Sequence, residues 1–407
     1  NKMYDIDKIR RDFPVLQRQI NGKPDVYLDS AASAQKPKSV INKMNRIYRS
    51  GYANVHRGTY ALSDSITNEY EKARKIVQKF INARSEKEVV FTRNATESIN
   101  LVAATWAMRN LKTGDEILIS EAEHHANLIP WQIVCQKTGA VLKVFKIADD
   151  GSYIHEEFQN KLSERTKLVA VTGMSNVLGT LFPIKQIASE AHKFGAKVLI
   201  DACQLAVHAR LDVQDSDCDF LAFSGHKTYG PTGIGVLYGK TDILADMPPY
   251  QTGGDMVDKV TYEFTTYAEP PARFEAGTPA IVEAIGLGEA LKYMQKIGFD
   301  NIERHEREIA DYMLQKTSEI KNFKHIGTIA GKGGVFSFQV GSIHPQDLAY
   351  VLGKEGVAIR IGHHCAEPLV NRLGYTSLAR ASLGLYTSKE DIDAFVAAVK
   401  KAQKFFD

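Results

Sequence analysis

Apolar and polar positions along this chain fall into alternating blocks. Short β-branched or aliphatic runs at 88–92, 116–120, 141–145, 168–172, 197–201 and 220–223 end in polar, glycine-flanked turns and read as strands. Between them lie stretches of helical spacing. In 63–83, Ile66, Tyr70, Ala73, Ile76, Val77 and Phe80 share one face, and 184–194, 280–294 and 301–320 repeat the pattern. Strand-then-helix rhythm through 88–240 predicts an α/β fold with a largely parallel sheet covered by helices on both faces. Ligands in such sheets bind beyond the carboxyl ends of the strands. The pattern then changes. Val257, Val260, Tyr262 and Phe264 alternate as in an exposed hairpin at about 251–268, and after Lys321 the elements shorten, with a strand at 335–340 and a helix at 347–352. The organisation expected is an N-terminal segment, 1–20, packed on a small α+β domain, 311–407, with a large domain, 21–310, between them.

Composition narrows the function. Of 407 residues, 51 are basic and 48 acidic, and the net charge of +3 comes with no basic block, which argues against nucleic acid as the main partner. No apolar run approaches the roughly 20 residues that span a bilayer, and the opening 15 residues are too polar for a signal peptide, so a soluble, cytoplasmic protein is expected. Four scattered cysteines, Cys135, Cys203, Cys218 and Cys365, suggest neither a disulfide framework nor a zinc ribbon. The first three read as small buried packing residues.

The candidate chemistry lies at the strand exits. The run 197–201 ends in Asp201, with Gln204 one turn later, and the run 220–223 opens into Ser224-Gly225-His226-Lys227. A carboxylate and a lysine delivered side by side above a sheet suit a pyridoxal 5'-phosphate (PLP) site, the lysine forming a Schiff base and the carboxylate pairing with the pyridinium nitrogen. Taken singly, Asp201 reads more readily as a helix cap and Lys227 as a solvated lysine, and the balance reverses only when they are taken together with Gln204 and the Ser-Gly-His before the lysine. After 88–92, Arg93-Asn94-Ala95-Thr96-Glu97-Ser98 starts a helix whose free N–H groups form either a phosphate seat or a capping box. Glu123-His124-His125-Ala126-Asn127 follows another strand, and one imidazole of the pair is placed to stack on a PLP ring. The small-residue turn Ser30-Ala31-Ala32-Ser33 allows close approach of a ligand, and Asn176 lies at a further strand exit.

A second centre occupies the small domain. Arg360-Ile361-Gly362-His363-His364-Cys365-Ala366 sets a cysteine on a turn behind two imidazoles and near an arginine, surroundings that favour thiolate over thiol. A metal site is the competing reading, but adjacent His-His-Cys suits one ion poorly and no matching ligand pair occurs at the usual spacing, so no metal is expected. Arg380, in an apolar strand-like run, needs an anion. A substrate carboxylate and a structural ion pair both answer.

Together these residues resemble the cysteine desulfurases of the class V aminotransferase group, most closely the SufS-type branch, which also holds selenocysteine lyases. The likeness runs from Asp12-Phe13-Pro14-Val15 to Arg380-Ala381-Ser382-Leu383. Its most specific pieces are the motifs at 123–127, 224–227 and 360–366 and Arg273-Phe274-Glu275-Ala276-Gly277-Thr278-Pro279. The resemblance implies a PLP-dependent fold type I homodimer with a mainly parallel seven-stranded sheet. It implies that Lys227 is the Schiff-base lysine, that His124 stacks on the ring, that Asp201 pairs with its nitrogen and that Gln204 reaches its phenolic oxygen. Thr96, Ser224 and His226 would hold the phosphate, with Thr278 arriving from the other subunit. Many relatives have Thr-Thr where this chain has Ala95-Thr96, so Ala95 is expected to offer only its backbone N–H. Asn176 and Arg380 would bind the substrate carboxylate, with Ala31 and Arg360 as further substrate contacts. The implied reaction converts L-cysteine to L-alanine and leaves a persulfide on Cys365, which passes to a SufE- or SufU-type acceptor for iron–sulfur cluster assembly. Selenocysteine lyase and cysteine sulfinate desulfinase are rivals on the same scaffold, and L-selenocysteine is then the substrate of the first. An ordinary aminotransferase shares the PLP residues, and a sulfur carrier or metal-binding module is the non-enzyme alternative.

Overall fold

The computed structural model describes residues 4–327 and 330–406. Seven strands form the main sheet: β1 (Val89–Thr92), β2 (Glu116–Ser120), β3 (Val141–Phe145), β4 (Thr166–Thr172), β5 (Lys197–Asp201), β6 (Phe220–Ser224) and β7 (Gly235–Gly239). Their spatial order is β1-β7-β6-β5-β4-β2-β3. Only β7 runs against its neighbours, pairing antiparallel with both β6 and β1. Every residue of β5 but the first and every residue of β6 is buried, as a sheet covered on both faces requires. The family fold type expected above, a fold type I α/β architecture, is the one present.

Gly235 starts β7 because nothing larger fits. A Cβ there would lie 2.5 Å from the Cα of Asn94, so glycine lets the helix start at 94–96 rest directly on the sheet. The hairpin pairs Val257–Val260 with Thr265–Tyr267 and carries Tyr262 fully exposed at its turn.

The second sheet is antiparallel, with β8 (Phe323–Ile326), β9 (Val335–Val340), β10 (Arg360–Gly362) and β11 (Leu378–Ser382) in the order β8-β9-β11-β10. Its core draws on Phe336, Phe338, Phe395 and Val399, on Val26 and Leu28 from near the N-terminus, and on Ile309 and Met313 of the helix Phe299–Ser318. The same helix places Phe299 and Ile302 in the core of the large sheet, so it belongs to both layers. Val26–Tyr27 pairs in parallel with Val357–Ala358, and Asp29 bridges to Ser382. Arg10, in the first helix Ile6–Asp12, bonds Asp391 of the last helix at 2.7 Å. Residues 1–3 of the N-terminal segment lie outside the described residues.

Candidate active site

A cavity of about 310 Å³ opens where the carboxyl ends of the central strands meet β10 and β11. Ala31, Ala95, Thr96, His124, Asn176, Asp201, Gln204, Ser224, His226, Lys227, Arg360, Cys365 and Arg380 all line it. Of the site residues expected from sequence, only Thr278 does not. It is exposed and lies outside the cavity of its own chain.

Each wall follows from local sequence. Strand β6 ends at Ser224, and one tight turn, Gly225–Lys227, lifts Lys227 half out of the sheet, where it forms neither a hydrogen bond nor an ion pair among the described residues. The neighbouring strand β5 delivers Asp201, 5% exposed, whose Oδ1 accepts the Cys203 N–H at 3.1 Å. That turn aims Cys203 into the cavity wall. The reading of Cys203 as a buried packing residue holds in part: it packs against the core, as Cys135 does, but both are half-buried and Cys203 also lines the site. Cys218 is buried and Cys365 exposed.

The turn holding His124 hangs from a buried polar chain. Ser120 donates to Glu123, Asn127 Nδ2 donates to Glu123 Oε1 at 2.8 Å, and Trp131 Nε1 donates to Asn127 Oδ1 at 2.9 Å. Burial pushes the Glu123 carboxyl up to about 8 despite these donors. His124 Nδ1 accepts the Ala126 N–H at 3.0 Å, which assigns the ring proton of neutral His124 to Nε2. Burial, aided by Lys227, lowers this imidazole to about 4, against the opposing pull of Asp201, so it is neutral at physiological pH.

At the other end of the cavity the helix Ala95–Val102 begins. Asn94 caps it by accepting the Glu97 N–H, and Ser224 Oγ accepts the Ala95 N–H at 2.9 Å. The backbone N–H and hydroxyl of Thr96 remain free toward solvent, an anion seat with one hydroxyl where a Thr-Thr pair would offer two. His226, neutral because burial lowers it to about 4, touches Ser33 Oγ through Nδ1 at 3.1 Å.

Arg380 is 3% exposed. Its Nη1 donates to the Asn176 carbonyl at 2.9 Å, its Nε has no partner, and burial lowers it to about 10, which leaves it charged at neutral pH. Register sets Arg360 directly opposite Arg380, a repulsive pair that Asp29 relieves: Arg360 grips both Asp29 oxygens at 2.7–3.1 Å while Arg380 Nη2 stays 4.0 Å away. The carboxylate is thus taken by Arg360, and Arg380 keeps donors for something else. The charge of a Cys365 thiolate is felt at both arginines.

The turn at 30–36 closes the cavity floor. Gln204 Nε2 donates to the Ala31 carbonyl at 2.9 Å, the Ala31 N–H reaches Ser382 Oγ, and Lys36 Nζ donates to the His226 carbonyl. Gln204 Oε1 is buried without a partner. Among the described residues no group of three or more His, Cys, Asp or Glu side chains is placed to hold a metal ion.

The model for aminotransferase class-V matches residues 26–395. The chain belongs to the class-V aminotransferase family. It is 49% identical over 401 residues to a probable cysteine desulfurase of Synechocystis, covering 98% of this chain and 96% of that one. It is 46% identical to a cysteine desulfurase of Synechococcus elongatus, of which it spans 64%. A crystal structure of the Escherichia coli cysteine desulfurase CsdA superposes with a TM-score of 0.93 at 38% identity, covering 99% of this chain and all of that one. Class-V aminotransferases are PLP-dependent enzymes, and the residues present fit that group. A free lysine, a buried carboxylate beside it, a helix start with unspent donors and the unpaired polar atoms of Gln204 and Arg380 all face one cavity.

Sequence reasoning missed several supports. Arg74 is buried in the helix Ala61–Phe80 and is held bidentately by Glu275 at 2.6 and 3.0 Å, and Glu275 also accepts the Phe91 N–H. A charged residue one turn after Tyr70, inside an otherwise apolar stripe, was the available signal. Asp29 had none beyond its place after a short apolar run.

Proposed function

We propose that this protein is a PLP-dependent cysteine desulfurase that converts L-cysteine to L-alanine and keeps the sulfur as a persulfide on Cys365. The observation that carries the reading is an exposed thiol on the wall of the same cavity as Lys227, His124 and Asp201, with a buried, partly unpartnered Arg380 beside it. Lys227, Asp201, Thr96, Ser224 and His226 would hold PLP, Lys227 through a Schiff base, Asp201 at the ring nitrogen and the other three at the phosphate, and the group would supply an electron sink for the carbon being activated. Thr278 of a second copy of the chain would add a phosphate contact.

Arg380 and the Asn176 amide bind the α-carboxylate, and Ala31 and Arg360 flank the substrate. This fixes which bond of the substrate faces Lys227. Lys227 Nζ takes the α-proton. His124, neutral and carrying its proton on Nε2, lines the cavity where it would face the coenzyme, and is the donor for protonation at carbon. Cys365 Sγ, as thiolate, attacks the substrate sulfur: a sulfur–sulfur bond forms, the carbon–sulfur bond breaks, and its electron pair returns toward carbon, where protons complete alanine. Splitting the transfer this way replaces one hard step by two easier ones.

The persulfide on an exposed loop then suits an acceptor protein of SufE or SufU type, feeding iron–sulfur cluster assembly. The working unit is a homodimer. Its supports are the outward apolar side chains Val260, Tyr262 and Phe264 on the hairpin and Met108, Ile129 and Ile133 beside a groove that shares His124 with the site. We place it in the cytoplasm, where its four unpaired thiols stay reduced. No helix among the described residues is long and apolar enough to cross a membrane.

The test is purified protein with L-cysteine and no keto acid. Alanine equal to the sulfur mobilised, with visible absorption from bound PLP, is expected. A requirement for a keto acid would make the protein an ordinary aminotransferase, and a colourless protein would make it a carrier. Turnover confined to selenocysteine or cysteine sulfinate would move the substrate.

A further inference from the structure

The loop that carries Cys365 is strained. His364 and Cys365 both have φ of 54°, in the left-handed region that L side chains avoid, and Gly362 before them is at 122°. Such backbone persists only where its surroundings over-determine it. Three anchors come from expected places: Asn176 Nδ2 donates to the His364 carbonyl at 2.7 Å, His364 pairs with the Leu378 carbonyl through Nε2 at 3.0 Å, and the Ala366 N–H closes on the His363 carbonyl at 2.9 Å. Two more come from one residue of the opposite domain. The His125 N–H donates to the Cys365 carbonyl at 2.6 Å, and His125 Nε2 accepts the Glu367 N–H at 3.0 Å.

The second bond meets a need built into the sequence. The helix Glu367–Arg372 starts immediately after the thiol, and its N-cap is Ala366, which has no side-chain oxygen to accept the helix's free N–H groups. Pro368 brings no donor, so the Glu367 N–H is the first orphan, and the His125 ring takes it from across the domain boundary. His124 and His125 thus face different tasks. The first turns its ring into the cavity, and the second fastens the segment on which the thiol rides.

We propose that His125 is a positioning residue for sulfur capture, clamping both sides of Cys365 so that its Sγ is held at the substrate. The proposal rests on the reading of Cys365 as sulfur acceptor. It separates His125 from coenzyme binding, because neither of its bonds involves a residue assigned to hold PLP.

The test compares wild type, His125→Ala and His125→Gln, each loaded with PLP. Gln retains an acceptor for the Glu367 N–H, and all three keep the backbone N–H. Single-turnover persulfide formation on Cys365 is timed by rapid quench and mass analysis, and L-cysteine affinity is read from the change in visible absorption on titration. In His125→Ala the rate of persulfide formation is expected to fall about tenfold, with coenzyme content and affinity within about twofold of wild type, and His125→Gln is expected to recover most of the rate. Wild-type speed in His125→Ala would overturn the proposal. So would a fall in coenzyme content or affinity that parallels the rate, or a Gln variant no better than Ala, since either marks general damage. Absence of persulfide from Cys365 of wild type would instead overturn the reading beneath it.

Discussion

Arg380→Lys isolates the role assigned to the buried guanidinium. In the structure Arg380 spends Nη1 on the Asn176 carbonyl at 2.9 Å, and Asp29 at 4.0 Å is occupied by Arg360, so Nε and Nη2 are what remain for a carboxylate. Lysine keeps the charge and has three N–H donors, but they diverge from one nitrogen and cannot form the parallel, planar fork that a carboxylate accepts while also reaching the Asn176 carbonyl. Losing one charge-assisted hydrogen bond in a site 3% exposed costs about 1.5–3 kcal/mol. That predicts a rise in KM for L-cysteine of about 10- to 150-fold. Because the carboxylate takes no part in bond cleavage, the contact is made equally before and during reaction, and kcat should stay within about threefold. Steady-state alanine formation by the PLP-loaded variant measures both constants. A KM within about twofold of wild type would refute the carboxylate assignment, and an unchanged KM with a collapsed kcat would reassign Arg380 to the sulfur-transfer step.

Glu275→Gln removes the bidentate partner of buried Arg74 but leaves Glu71, which accepts from Arg74 Nε at 3.0 Å, so the charge is not orphaned and the loss in denaturant titration should be about 1.5–3 kcal/mol, one charge-assisted contact; a change below about 0.5 kcal/mol would show the Glu275 contact to be dispensable. Acid should destabilise the fold through its neutral imidazoles. Burial holds His124 and His226 at about 4 and His364 at about 3, against 6.5 for the free side chain. Below 6.5 the unfolded chain therefore gains protons that the folded one refuses, so their contribution is complete above 6.5 and is lost as pH falls toward 4. Glu123, held at about 8, works the other way, since the folded chain keeps a proton that the unfolded one has lost, but three rings outweigh one carboxyl, and unfolding midpoints in guanidinium should drop between about pH 7.5 and pH 5; an unchanged or rising midpoint would contradict the buried, neutral rings.

What the amino-acid pattern revealed and what it hid divide along a physical line. The run 197–201 coincides with an observed strand because burial on both faces of a parallel sheet calls for consecutive apolar residues, here Val198, Leu199 and Ile200, and 335–340 does so because Val335, Phe336, Phe338 and Val340 are all buried in the second sheet. Asp201, Lys227 and the helix start at 95 were readable because chemistry at strand exits interrupts that pattern with polar and small residues. Relations across domains were not. That Arg360 lies opposite Arg380, that Asp29 settles their repulsion and that His125 rather than Ala366 caps a helix are facts of register and tertiary approach, which no local spacing encodes. The place of Cys203 on the cavity wall was hidden for the same reason. Its exposure depends on the cavity that other segments build around it.

The central claim is that Cys365 receives sulfur released above Lys227, and the most direct measurement is intact-mass analysis with peptide mapping after brief exposure of the PLP-loaded protein to L-cysteine. A gain of one sulfur atom, mapped to Cys365, is expected, with no gain in a Cys365→Ala variant that retains its visible absorption. Sulfur found on Cys203 instead, or alanine formed with no sulfur left on the protein, would contradict it.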